Sequence, residues 1–379
     1  MNGATYNTGL RPGGIEIQGT TAQDLLQARQ SLQAQLEESG LAGHVQMHGA
    51  GEHGVRVELR CESLAAWAPG RDTLDLCQTL QLDTERAADL EREILVAMLA
   101  APIPFQFPSH DELISAVRIR RNIVQAARKT ALAFDTSHAA ERPEAYWRYD
   151  EDYGFVLQPG QDLISALQKA TQPDASGKLY SFSCYRATEY VILLGIAQEL
   201  QVCNPALFAQ LQRHSEQRAI RSGKFHDVFL YEYGSMEDPL PPRYYVPGDR
   251  LWFRNPDAHS SDVTGYEGSW VFYLGNGLFT NFWKRDQPFS FTSKCVELFH
   301  WRHATYLNTA NELQIDESIV EERVRATMRD AAQVQDVLQT MVRLRDPKGV
   351  YAEGGCIDTT REYPRHVRPG TADMVLPPL

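Results

Sequence analysis

Cys184 is the residue with the strongest case for chemistry. It follows the short run Leu179-Tyr180-Ser181-Phe182-Ser183, and after it Ala187, Tyr190/Val191, Leu194 and Ala197 recur at helical spacing. A cysteine placed where an extended segment enters a helix faces the unpaired N–H groups of the first turn. The positive helix end favours thiolate over thiol there. Those N–H groups can also stabilise an oxyanion, so the position suits nucleophilic attack on an acyl carbon. The competing reading is a buried and inert cysteine, the usual fate of this residue type. Cys61, Cys77, Cys203, Cys295 and Cys356 have weaker cases. They are scattered without C-x-x-C spacing, which argues against a zinc site and gives no disulfide framework. A reducing, cytoplasmic setting is the expectation. His226, Glu232, His300 and His303 are candidate bases. His300 and His303 are three apart on a predicted helix, a metal-like spacing, but without a third ligand a packing or surface role is expected.

The elements that must position Cys184 flank it on both sides. Ahead of it, Ser109-His110-Asp111-Glu112 has capping-box spacing and predicts a helix to about Phe134, with Leu113, Val117, Val124 and Ala127 near one face. Further upstream, 14–18, 45–48 and 55–59 alternate as strands, with a Gly-rich hairpin over 49–54. Helices are predicted over 22–38, capped by Thr21, and over about 83–99. This first unit has no polar cluster that points to chemistry. Three prolines between 102 and 108 mark a boundary. Behind Cys184 the helix runs to about Leu200, and Asn204-Pro205 opens another. The texture then turns to strands at 228–233, 250–253, 270–274 and 278–282, with Asn276-Gly277 as a type I′ turn before the last. Helices are predicted again near 293–307 and 316–344. The sequence thus reads as an α+β protein with a small α/β module over 1–101, a core over 109–310, a C-terminal helix over 311–345 and a loosely ordered tail over 346–379.

Bulk composition narrows the function classes. With 379 residues, 43% apolar and 23% charged, the chain is ordinary for one or two globular domains. A net charge of -12 argues against a general partner in nucleic acid or an anionic membrane, both of which need a basic footprint. Basic partners, such as lysine-bearing proteins, would be favoured. Met1-Asn2-Gly3-Ala4-Thr5 lacks the charged and apolar regions of a secretory signal, and no apolar run approaches the ~20 residues that span a bilayer.

Three stretches carry a resemblance. The first is Glu112-Leu113-Ile114 through Arg121-Asn122-Ile123-Val124-Gln125-Ala126-Ala127, with Tyr146-Trp147-Arg148 after it. The second is Leu179 to Cys184. The third is Gly248-Asp249-Arg250-Leu251-Trp252-Phe253-Arg254-Asn255-Pro256-Asp257, followed by Gly268 and Val271-Phe272-Tyr273-Leu274-Gly275. In this order they resemble the Bacillus-type spore-coat transglutaminases, the protein-glutamine gamma-glutamyltransferases, over roughly 109–310. The resemblance implies a papain-like or NlpC/P60-like cysteine-transferase core. It implies that Cys184 forms a thioester with a protein glutamine and passes the acyl group to a lysine amine, or to water in a deamidation. Protein substrates bearing glutamine and lysine are the implied partners, and no cofactor or metal is needed.

The pattern also differs at three places. Ser183 stands where the family has glutamate before the cysteine, Ser269 where its main acid/base glutamate follows the glycine that opens a strand, and Asn281 where a histidine stands. Serine and asparagine can orient a partner but do not accept a proton near neutral pH. Glu267, two residues before Ser269 and on the same face of an extended strand, is the expected replacement base. The expected site is therefore Cys184, Glu267, Ser269 and Asn281. The alternative is a transglutaminase-fold protein impaired in catalysis and kept for binding or structural work.

Overall fold

The computed structural model describes residues 13–19, 21–51, 54–133 and 141–378. The first unit is built on β1 (Ile15–Gln18), β2 (Val45–Gly49), β3 (Gly54–Leu59) and β4 (Phe105–Phe107), in the order β2-β3-β1-β4. The neighbouring strands are antiparallel except β1 and β4, which run parallel. Its helices are α1 (Ala22–Glu38), α2 (Cys61–Trp67), α3 (Leu76–Thr79) and α4 (Ala87–Leu99). Thr21 and Asp24 cap α1 reciprocally, each side chain accepting from the other's N–H at 3.1 and 2.9 Å.

The proline-rich boundary is no loose linker. β4 lies inside it at the edge of the sheet, and Phe105 is buried with its ring stacked 4.3 Å from Tyr233. Then come α5 (His110–Lys129), the hairpin β5 (Trp147–Asp150) and β6 (Gly154–Leu157), α6 (Leu163–Thr171), α7 (Cys184–Cys203), α8 (Pro205–Gln217) and α9 (Gly223–Phe229). Phe134, the expected end of α5, lies outside the described residues. Helix α7 packs against α5, and the approach is close because residue 195 is glycine: a Cβ there would sit 2.6 Å from Ile123.

The second sheet is six-stranded and antiparallel. It contains β7 (Leu230–Tyr233), β8 (Arg250–Arg254), β9 (Gly268–Gly275), β10 (Leu278–Phe279) and β11 (Phe289–Ser290). After these come α10 (Phe291–Trp301), the small hairpin β12 (Thr305–Leu307) and β13 (Leu313–Ile315), α11 (Glu317–Thr327), α12 (Ala331–Met341) and finally β14 (Arg361–Pro364). The strand order is β11-β10-β9-β8-β14-β7. The tail expected to be loosely ordered therefore supplies an interior strand, bonded to β7 on one side and β8 on the other. Its anchor is Glu112. The capping box predicted for α5 is only half formed: Ser109 accepts from the Glu112 N–H at 3.2 Å, but the Glu112 carboxylate does not reach back. It is buried and accepts from Val367 N–H, Arg368 N–H and the Thr371 hydroxyl at 3.1, 2.6 and 2.7 Å. Three further expectations change. Val228 and Phe229 end α9 rather than open a strand. The helix predicted over 293–307 stops at Trp301, and the one over 316–344 is two helices, because Asp330 caps a second start. Among the described residues no helix is long and apolar enough to cross a membrane.

A buried ion pair links the layers. Arg120 of α5 donates to Asp249 at 2.7 Å, both side chains being 1% exposed, and its guanidinium lies against the rings of Phe105 and Tyr363. Asp249→Ala strands that guanidinium, with an expected cost of about 3–5 kcal/mol in urea unfolding. Arg120→Met combined with Asp249→Leu should recover most of it. A cost below about 1 kcal/mol for the single variant would refute the pair's structural role.

Glu93 of α4 is the second test. Burial pushes its carboxyl up to about 7, against the Asn276 N–H that it accepts at 2.9 Å. Because the folded value lies above the unfolded one, stability should be highest in acid and fall as pH rises toward 7, by on the order of 3 kcal/mol. Glu93→Gln should flatten that slope in unfolding curves taken from pH ~5 to ~8. An unchanged slope would assign the pH dependence elsewhere.

Candidate functional site

Cys184 is the first residue of α7. Ser183, in extended backbone (φ -76°, ψ 155°), caps the helix by accepting from the Arg186 N–H at 3.2 Å. The sulfur faces three backbone donors: the N–H of Trp270 on β9, that of Tyr185, and its own. Trp270 can spare its N–H because of the register of β9. Two residues on, at the same edge of the strand, the Phe272 N–H meets Thr280 Oγ1 at 3.0 Å, and pairing with β10 begins only at Tyr273. Beyond that point the Trp270 N–H lies on the side of the strand toward the Cys184 sulfur.

Arg250 of β8 holds the start of α7 to this edge. Its guanidinium is buried, 5.0 Å from the Tyr185 ring and 4.8 Å from the Trp270 ring, and it ion-pairs with Glu362 of β14. Gly268 admits the neighbouring indole: a Cβ there would sit 2.1 Å from Trp252 Nε1.

Cys184, Ser269 and Asn281 open onto one cleft of about 640 Å³. Ser269 is half-buried on β9. Asn281 uses both ends of its amide on the 281–287 loop, donating to Gln287 O and accepting from Lys284 N–H at 3.1 Å each. Glu267 does not line the cleft. β9 begins only at Gly268, so the same-face rule for strands does not reach Glu267; its carboxylate turns back to accept from Gly265 N–H at 3.3 Å. His226 pairs with Glu362, and His300 bonds to Thr327 and His303, so neither faces the sulfur. Burial, followed by the nearby His303, pushes His300 down to about 4, in keeping with a packed neutral ring.

The opposite wall of the cleft was not singled out in the sequence. Lys294, Glu297 and Trp301 face it from α10, and Glu317 and Val320 from α11. The Lys294 side chain is 4% exposed, pairs with Glu297 at 2.6 Å and lies 4.2 Å from the Phe289 ring. The available signal was the i, i+3, i+7 recurrence of these three α10 residues on a helix that was itself predicted. Glu317 is raised by burial, opposed by the hydrogen bond it accepts from the Tyr266 hydroxyl at 2.5 Å. Burial also raises the Cys184 thiol. The Trp270 N–H and then the Lys294 ammonium pull it back down. The net direction is upward, opposite to that expected from a helix start alone, because desolvation outweighs the opposing donors and the ammonium. Among the described residues no group of three or more His, Cys, Asp or Glu side chains is arranged to hold a metal.

The profile of the protein-glutamine gamma-glutamyltransferase family matches residues 72–374. The chain belongs to this family. The match runs from the loop before α3 through β14, wider than the 109–310 over which the motifs resemble it. Among relatives that bear this transglutaminase name, one from Bacillus licheniformis is 26% identical over 50% of this chain and 71% of its own length. One from Halalkalibacterium halodurans is 27% identical over 50% and 62%. The solved transglutaminase of Geobacillus stearothermophilus, without its C-terminal extension, shares 22% identity over 57% of this chain and 98% of that one. Its TM-score is 0.39, too loose an overlap to fix the fold by itself.

If Lys294 supports the thiolate of this transglutaminase, Lys294→Met should move the pH midpoint of Cys184 alkylation by iodoacetamide to higher pH and slow the reaction severalfold near neutrality. Peptide mass spectrometry must follow Cys184 itself, because Cys61 is exposed. An unshifted midpoint would remove Lys294 from the sulfur's electrostatics.

Proposed function

We propose that the cleft is an acyl-transfer site, with Cys184 carrying the acyl group from a protein glutamine to a lysine amine. The sulfur attacks the γ-carboxamide carbon, the C–N bond breaks, and the amide nitrogen leaves as ammonia with the thiol proton. The resulting thioester is attacked by a deprotonated lysine amine, the C–S bond breaks, and an isopeptide and free thiol remain. Water in place of the amine yields glutamate. In this reading the backbone N–H groups of Tyr185 and Trp270, both near the sulfur, stabilise the oxyanion. Lys294 stabilises the thiolate once substrate arrives, and Glu297, held against Lys294, takes the proton from the incoming ammonium. Ser269 orients the substrate, and Asn281 shapes the rim through the loop it holds. Glu267 has no part in this.

The observation that carries the reading is a cysteine that opens onto a cleft at the first residue of a helix, in a chain of the transglutaminase family. The same packing of the α7 start on β9 supports a papain-like core. Six free cysteines fit a reducing, cytoplasmic setting. A second reading, a fold kept for binding without turnover, draws on the raised thiol and on uncharged residues at 183, 269 and 281.

Incorporation of a dansylated primary amine into a glutamine-rich acceptor protein separates the two. Cys184→Ala is expected to abolish it, Glu297→Gln to lower kcat about 10²-fold or more, and Glu267→Gln to leave it unchanged. Labelling that persists in Cys184→Ala would overturn the proposal. A wild type that neither labels acceptor nor alkylates faster than an ordinary thiol would favour the binding role.

A further inference from the structure

Behind the first turn of α7, and sharing no lining residue with the Cys184 cleft, lies a second cavity of about 440 Å³. Four arginines line it: Arg142, Arg186, Arg218 and Arg221. Among the described residues Glu189 is its single acidic liner. That carboxylate is already committed, pairing with Arg186 and accepting from the Ser222 N–H at 2.6 Å. Ser222 holds a left-handed backbone (φ 58°) that directs its N–H there, so the loop carrying Arg218 and Arg221 is pinned over the cavity. Gly154, also left-handed, sits beneath Arg221, where a Cβ would come within 2.9 Å of its guanidinium.

Arg142 is the telling residue. It is 6% exposed, and its guanidinium carbon lies 3.3 Å from the Phe182 ring centre and within 5 Å of those of Phe155 and Tyr190. Its Nη1 donates to the carbonyls of Glu141 and Ser181, while its Nε is buried with no partner. Among the described residues no carboxylate pairs with Arg142, Arg218 or Arg221. A cation so deeply desolvated is costly unless an anion completes it, and arginine forks match carboxylate and phosphate. Apart from Ser181, Ser183 and Ser215 the remaining walls are mainly aromatic and aliphatic, and the volume is that of a small-ligand site.

We propose that this cavity binds a small anion, carboxylate or phosphate, carried on an aromatic body: the anion meets Arg142, Arg218 and Arg221, and the ring packs among Phe155, Phe182 and Tyr190. The site is independent of any turnover at Cys184, so its test reads binding alone. Calorimetric titration of the full chain with phenyl phosphate and with phenylacetate is expected to show one saturable site for at least one of them. That probe should bind about tenfold more tightly than inorganic phosphate or phenol. Arg142→Gln should weaken it at least about tenfold. Because Arg142 is buried and its loss can disturb packing, Arg221→Gln, at the exposed mouth, is the companion: about threefold or greater weakening with unchanged Tm. The proposal is overturned if neither probe saturates, if inorganic phosphate binds as tightly as both, or if Arg221→Gln and Arg218→Gln bind the probes like wild type.

Discussion

The guanidinium of Arg250 is the point on which the geometry at Cys184 turns. It is a full charge taken out of water, tolerable because Glu362 neutralises it and the faces of Tyr185 and Trp270 enclose it. Each of those three partners belongs to a different element: the last strand β14, the first turn of α7, and the strand β9. One side chain thus fixes their relative positions. His226 extends the chain of contacts by touching Glu362 at 3.3 Å.

The electrostatics of the cleft follow from that enclosure. Packing the sulfur against β9 strips it of water, which favours the neutral thiol, while the same packing supplies the donors and the ammonium that favour the anion. Neither influence exists without the other. The cleft also draws its acidic side chains from α10 and α11, across from the cysteine, and Lys284 from the loop after β10, rather than from the strand that carries Ser269.

What could be read in the sequence was local. Thr21 with Asp24, Asn276-Gly277 and the apolar spacing behind Cys184 each announce an element through contacts within a few residues, and each element forms. Ser109-x-x-Glu112 sends the same local message, but Glu112 is claimed by backbone more than 250 residues away. Nothing near Glu112 signals that. The strand at 361–364 was hidden for a related reason: its buried Arg361 and paired Glu362 look like solvent-facing residues until their partners are in place. Cys184, Ser269 and Asn281 line one cleft, while Glu267 lies outside it because β9 begins one residue later. Lys294 and Glu297, which also line the cleft, carry little signal because an ion pair at i, i+3 looks like an ordinary helix surface.

The insertion of β14 between β7 and β8 has a consequence for biosynthesis. Those two strands are separated by an unfilled lane until residue 364 has left the ribosome, and Glu362, the counter-ion of Arg250, arrives in the same segment. A nascent chain can complete its first sheet early, yet β8 and the charge on Arg250 stay without these partners until residues 361–364 join the sheet. Such long-range closure slows folding.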